Sequence, residues 1–264
     1  MNGKNVSEMT TLLRAAGLTK KYGDLTAVDG LDLTLESGEI VGLLGPNGAG
    51  KTTTIAMLTG LLRPGAGTVS IAGRDVHRES REVKRLIGYV PDEPCLYDKL
   101  TAREFVTLIG EIYGVGGELR GRVDELLAHF GLSDAADDLI GGYSHGIKQK
   151  TALCGALVHQ PTLLFLDEPT VGLDPRSARL LKDTLRQLAN EGRAVLLCTH
   201  ILEIAQAICD RVAILDHGHL IAQGTLDELR QSTHAARGES LEDVFLRLTG
   251  QDEDRNVARA MSSQ

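Results

Sequence analysis

Gly45-Pro46-Asn47-Gly48-Ala49-Gly50-Lys51-Thr52 is the stretch whose reading decides the fold. It follows the pattern G-x-x-x-x-G-K-T, with apolar Ile40-Val41-Gly42-Leu43-Leu44 before it and Thr53-Thr54-Ile55-Ala56-Met57-Leu58 after it. The pattern predicts a buried strand that passes through a glycine-rich loop into a helix, the setting a phosphate-binding loop requires. Glycines let successive backbone N–H groups turn toward one anion, and the helix N-terminus adds the positive end of its dipole. Gly45, Pro46, Asn47, Gly48, Ala49 and Gly50 are then expected to wrap the phosphates of a nucleotide, with Thr53 in the first turn of the helix. Lys51 is expected to reach the β- and γ-phosphates and the Thr52 hydroxyl to hold Mg²⁺.

Further along, Leu163-Leu164-Phe165-Leu166 reads as a central buried parallel strand. It delivers Asp167 and Glu168 to its C-terminal end, the edge of a parallel sheet that also carries the loop. An aspartate there suits a magnesium ion, and an adjacent glutamate can polarise a water for attack on the γ-phosphate.

Between and around these two strands the pattern alternates. Residues 11–44 give short β-like runs, 12–15 and 31–35, about a turn at Tyr22-Gly23-Asp24. Strands are expected at 68–71 and 87–90, with a short helix at 78–86. Residues 92–142 change character: Thr101-Ala102-Arg103-Glu104 is a capping box, and Leu119, Val123, Leu126, Leu127 and Phe130 mark a second amphipathic helix. A helix is expected from Ser144 to about His159. Asp174 as N-cap and Pro175 at the first helical position open another, through Asn190, which Gly192 stops. A strand at 194–198, a helix at 200–209, strands at 212–215 and 220–222 about the turn His217-Gly218-His219, and a capping box at Thr225 follow. The polar stretch 231–239 reads as a linker, 240–248 as a short amphipathic helix and 251–264 as a tail without order. Strands alternating with helices predict a wound, mostly parallel α/β sheet that binds its ligand at the strand C-terminal ends.

Composition narrows the classes. The chain has 264 residues and a formal net charge of −8, which argues against a nucleic acid partner. Cys95, Cys154, Cys198 and Cys209 are scattered without metal-like spacing, and Cys154 and Cys198, within apolar runs, read as small core residues in a reducing compartment. The polar residues 1–9 carry no signal peptide, and no apolar run is long enough to span a membrane. Work at a membrane would therefore pass through a partner.

Taken together, Gly45 to Thr52, Leu163-Leu164-Phe165-Leu166-Asp167-Glu168-Pro169-Thr170, Gly172-Leu173-Asp174 and Cys198-Thr199-His200 resemble the Walker A, Walker B, D-loop and switch-histidine motifs of ABC-transporter ATPases. They stand in that family's order over about residues 10–225. The resemblance implies a P-loop NTPase with an N-terminal antiparallel β portion and a helical subdomain insert. It implies an ATPase domain over 10–230, with a nucleotide-binding core at 10–91 and 160–224 and the helical subdomain at 92–159; residues 231–264 lie beyond it. It implies ATP and Mg²⁺ as ligands and a dimer of nucleotide-binding subunits whose two ATP molecules lie between one P-loop and the partner's signature helix. The signature position here is Tyr143-Ser144-His145-Gly146-Ile147, which keeps Ser144 and Gly146 but departs from Leu-Ser-Gly-Gly-Gln. Its Tyr-Ser-x-Gly form resembles exporter ATPases that pair with separate integral-membrane permeases, which places the chain in the cytoplasm on the inner face of the cell membrane.

The same resemblance assigns Tyr22 to stacking on adenine, Asp174 to a cross-dimer contact, and Glu168, His200 and Lys51 to catalysis. Asp92 stands where the family's Q-loop usually has glutamine, and is expected to meet Mg²⁺ or the attacking water. Thr52, Asp167 and Asp92 form the expected metal set. Two other classes share the loop chemistry. One is a soluble ABC-type ATPase acting on nucleic acid or ribosomes. The other is a P-loop kinase or GTPase, for which no Asn-Lys-x-Asp base reader is found.

Overall fold

The computed structural model describes residues 10–233 and 239–250. The chain opens with a long antiparallel hairpin, β1 (Thr11–Tyr22) and β2 (Leu25–Glu36). Both strands run well past the short runs expected from the sequence, because several register shifts let the pairing continue along twelve residues of each. The buried strand β3 (Ile40–Leu44) then leads into α1 (Lys51–Leu58). Next come β4 (Ala66–Ile71), β5 (Arg74–Asp75), α2 (Ser80–Leu86) and β6 (Ile87–Val90). The helical stretch follows with α3 (Ala102–Ile112), α4 (Leu119–His129) and α5 (His145–Leu157). The remaining core alternates β7 (Leu163–Asp167), α6 (Pro175–Asn190), β8 (Ala194–Cys198), α7 (Leu202–Ile208), β9 (Arg211–Asp216) and β10 (His219–Gly224). It closes with α8 (Leu226–Ser232) and α9 (Leu241–Leu248).

Two sheets result. One is antiparallel, in the order β2-β1-β4-β5; the other has the order β10-β9-β3-β8-β7-β6 and is parallel except for the β9–β10 pair. The central strands β3, β7 and β8 are apolar but for Asp167 at the end of β7, yet their pleat divides them between two cores. Val41, Leu43, Phe165, Leu196 and Cys198 face the antiparallel sheet and α1, with Leu13, Leu35, Ile55 and Leu58. Ile40, Leu164, Leu166, Val195 and Leu197 face the helices, meeting Leu181 and Leu185 of α6, Leu153 of α5 and Phe105 and Val106 of α3. The capped helix α9 covers a third, smaller cluster with Leu241, Val244 and Phe245 on Leu44, Val212, Ile214 and Leu229.

Local signals set the helix starts. Thr101 with Glu104 and Thr225 with Glu228 form the expected capping boxes, and Asp174 caps α6 ahead of Pro175. Two starts differ from expectation. Helix α7 begins at Leu202, because Glu168 accepts from His200 N and the Thr199 hydroxyl accepts from Ile201 N, which holds those residues out of the helix. At α5, Ser144 occupies the N-cap with extended backbone, but its side chain makes no capping hydrogen bond. Residues 234–238 of the expected linker and the expected tail at 251–264 lie outside the described residues. Among the described residues no helix is long and apolar enough to cross a membrane.

Candidate functional site

Parallel pairing fixes where the polar residues gather. Asp167 is level with Cys198 on the next strand, and Cys198 with Leu43 on the one beyond. The end of β7 therefore lies two strand spacings, about 10 Å, from the end of β3. Over that same edge Asn47, Gly48, Lys51, Thr52, Asp92, Asp167 and Glu168 line one cavity of about 130 Å³.

The loop's curvature needs its glycines. At Gly45 a Cβ would lie 2.4 Å from Leu215 O, and at Gly50 (φ +102°) 2.4 Å from Ala27 O. Both are backbone atoms of neighbouring strands, so no side chain fits between the loop and the sheet. Ala49 is buried, and its carbonyl accepts from Gly218 N at 3.1 Å, tying the loop to the β9–β10 turn. Asn47, Gly48 and Thr52 are exposed, while Thr53 is half-buried on the first turn of α1. The Lys51 ammonium does not point to open solvent. It donates to Gly45 O at 2.6 Å and to Pro46 O at 3.0 Å, folded back over the concavity it is expected to serve.

Facing the loop is a carboxylate group of contrasting environments. Asp167 is buried, and burial foremost, then the charges of Asp92 and Glu168, push its carboxyl up to about 6 against the pull of Lys51. Glu168 is held in place by three donors. The Thr199 hydroxyl reaches Oε2 at 2.9 Å, His200 N reaches Oε1 at 2.9 Å, and His200 Nδ1 stands 2.7 Å from Oε1. A carboxylate oxygen accepts, so in this contact the imidazole donates from Nδ1. The Glu168 backbone lies in the left-handed region at φ +47°, a strain found chiefly where surrounding structure over-determines a functional residue.

The donor set suits a hard cation shared with phosphate. Among the described residues no cluster of three or more His, Cys, Asp and Glu side chains forms a protein-only metal cage. Magnesium, however, is typically held by one or two carboxylates together with substrate phosphates and water, and Asp167, Asp92 and the exposed Thr52 hydroxyl share one cavity.

Other expected site residues stand elsewhere. Tyr22 ends β1 exposed, with Lys20 Nζ 5.6 Å from its ring centroid. Ser144 is exposed at the start of α5, with Gly146 two residues on. Asp174 is occupied as the cap of α6, accepting from Ser177 N at 2.9 Å and from its hydroxyl at 2.6 Å, which holds its carboxyl below the usual range. None of these lines the cavity at the loop. Thr199, fully buried, was not singled out by the sequence; a hydroxyl residue closing the wholly apolar strand β8 is the signal that marks it.

Comparison with known proteins agrees with the geometry. The family model described as "ABC transporter" matches residues 28–171. The chain is 42% identical over 242 residues to the daunorubicin resistance ATP-binding protein DrrA3 of Streptomyces coeruleorubidus, covering 91% of this chain and 75% of that protein. It is 41% identical over 214 residues to the Nod factor export ATP-binding protein I of Burkholderia lata, covering 81% of this chain and 70% of that one. A solved structure described as an ATP-binding subunit of an ABC transporter superposes with a TM-score of 0.87 at 35% identity, over 90% of this chain and all of that one. With its glycine-rich loop, the carboxylates Asp167 and Glu168 and His200 gathered on one sheet edge, the chain belongs to the ABC transporter family as an ATP-binding domain, a P-loop ATPase.

Proposed function

We propose that this chain binds and hydrolyses ATP to drive export through a separate integral-membrane permease, working as one of two nucleotide-binding subunits on the cytoplasmic face of the membrane. The observation that carries the ATPase half is the cavity shared by Lys51, Thr52, Asp92, Asp167 and Glu168, with Glu168 locked to His200. In the mechanism that follows, Gly45 to Gly50 wrap the phosphates and Lys51 exchanges its two loop carbonyls for phosphate oxygens. Thr52, Asp167 and Asp92 would hold Mg²⁺, which when bound supplies charge neutralisation at the phosphates. Glu168 orients and polarises the attacking water; His200, fixed through Nδ1, presents Nε2 toward the γ-phosphate.

The two-subunit arrangement rests on Ser144, Gly146 and Asp174, which stand outside the cavity and are left for a second copy to meet. The domain division follows: a nucleotide core of 10–91 and 160–224, with a helical subdomain at 92–159 that carries movement to the permease. Direction and partner are supported by the names of the relatives, export and resistance ATP-binding proteins. A net charge of −8 speaks against nucleic acid as the partner.

Two measurements test this. Lys51→Ala should abolish ATP binding in calorimetry, while Glu168→Gln should bind ATP and accumulate as a dimer without turnover. Near-normal turnover by Glu168→Gln would overturn the role of Glu168. Affinity capture of the tagged chain from detergent-solubilised membranes should recover a polytopic membrane protein in stoichiometric amount; recovery from the soluble fraction alone or with ribosomes would overturn transport and leave the ATPase chemistry.

A further inference from the structure

Two buried polar groups, one on α5 and one in the loop that follows β7, have no task in the chemistry above. Gln149 of α5 is 0% exposed, and neither Nε2 nor Oε1 of its carboxamide has a hydrogen-bond partner among the described residues. Thr170, at the start of the loop and 8% exposed, has a buried hydroxyl in the same condition. Buried polar side chains are paired in the large majority of cases, and an unpaired amide in an apolar setting is costly.

The placement of Gln149 gives that cost a direction. His145, Gly146, Gln149 and Lys150 are spaced by three and four and share one face of α5. That face abuts the loop. A Cβ on Gly146 would lie 2.6 Å from Gly172 O, and one on Gly172 (φ +75°) would lie 2.4 Å from His145 Cδ2. One turn further, Lys150 lines a cavity together with Asp174 and Ser177. Gln149 thus lies on the helix face that is turned to the loop. The helix carries Ser144 and Gly146 at its start, and the loop runs from Glu168 to Asp174. Any movement between helix and loop therefore changes the setting of all four.

We propose that Gln149 is a positioning residue: its carboxamide is without a partner in the ligand-free subunit and bonds to the Thr170 hydroxyl when ATP closes the two-subunit site. This rests on the two-subunit reading above. A carboxamide offers both donors and an acceptor, and a hydroxyl satisfies either, so the two groups can answer each other's missing bonds when the loop meets that face of α5. The bond forms only in the closed state, so it favours that state by up to about tenfold, the worth of one buried hydrogen bond.

The full-length chain tests this with Gln149→Met, which keeps the volume and removes the polar atoms. Because the amide is unpaired in the free subunit, Gln149→Met should raise the melting temperature of the nucleotide-free chain. In the Glu168→Gln background the same substitution should weaken ATP-driven dimerisation, followed by light scattering, by on the order of tenfold. These opposite signs are the readout, since a merely structural glutamine would lower both. Thr170→Val should weaken the dimer similarly, and the double variant no more than either single one. A lower melting temperature for Gln149→Met, or an unchanged dimer, overturns the role of Gln149. A double variant that loses the product of the two single effects overturns Thr170 as its partner. A Glu168→Gln parent that fails to dimerise with ATP overturns the two-subunit reading, and this proposal with it; a parent that dimerises confines any failure to Gln149.

Discussion

Replacing Glu168 by glycine and by alanine should reverse the stability order that these two residues usually give. Glu168 sits at φ +47°. Its N–H donates to Cys198 O at 2.9 Å, which fastens the strained residue to the end of β8. Both substitutions remove the same carboxylate and release the same three donors, from Thr199 and His200, so that loss cancels in the comparison. Two terms remain. Alanine restricts the unfolded chain more than glycine does, an advantage of about 0.4–1 kcal/mol. Against it, a Cβ in the left-handed region costs about 1–2 kcal/mol, which glycine avoids. The glycine variant should therefore be the more stable by about 0.5–1 kcal/mol, or roughly 1–4 °C in melting temperature for a chain of this size. Urea unfolding of the nucleotide-free proteins, compared at equal m-values, measures the difference directly. An alanine variant as stable as the glycine variant, or more so, would refute the claim that Glu168 is held under backbone strain. Neither variant should turn over ATP, since neither carries the carboxylate.

Two further expectations follow from the loop and the carboxylate facing it. Asp167 releases its proton at about 6 in the folded chain against an ordinary 3.8, so on raising the pH the unfolded chain deprotonates first. The nucleotide-free subunit should then lose up to about 3 kcal/mol between roughly pH 4 and pH 6 and stay level above it. Asp167→Asn should remove most of that slope in melts without metal, and an unaltered slope would refute the shift. Gly50→Ala places a Cβ 2.4 Å from Ala27 O at φ +102°, so it should cost more than about 2 kcal/mol and abolish ATP binding in calorimetry. An unchanged melting temperature would show that the loop is not pinned against β2.

Much of this architecture was legible locally. The glycine-lysine loop, the wholly apolar strand before Asp167, the Thr101–Glu104 box and the Asp174-Pro175 start each lie within a few consecutive residues. Caps and strand-to-helix turns are formed by near neighbours, so the sequence states them outright, and α6 runs from Pro175 to Asn190 as its start and stop signals predict. Asp92 and His200 were marked as candidates by the resemblance to the ABC-transporter ATPases rather than by any local rule.

Tertiary structure decided what depends on distant partners. The sequence carries no register, yet the alignment of Asp167, Cys198 and Leu43 across three strands is what sets the carboxylates opposite the loop. Helix α5 is expected to open at Ser144, yet the Ser144 side chain makes no capping bond; Lys51 is expected to reach phosphates, and its ammonium lies across Gly45 O and Pro46 O. Helix α7 starts later than its apolar spacing suggests, because Glu168, from a different strand, claims His200. Gln149 looks like an ordinary polar residue on a helix until the packing of α5 takes its amide away from water. Local chemistry thus determined which residues are candidates for the site, and long-range packing determined the environment and partner of each, because burial and pairing depend on chain segments that meet only in the fold.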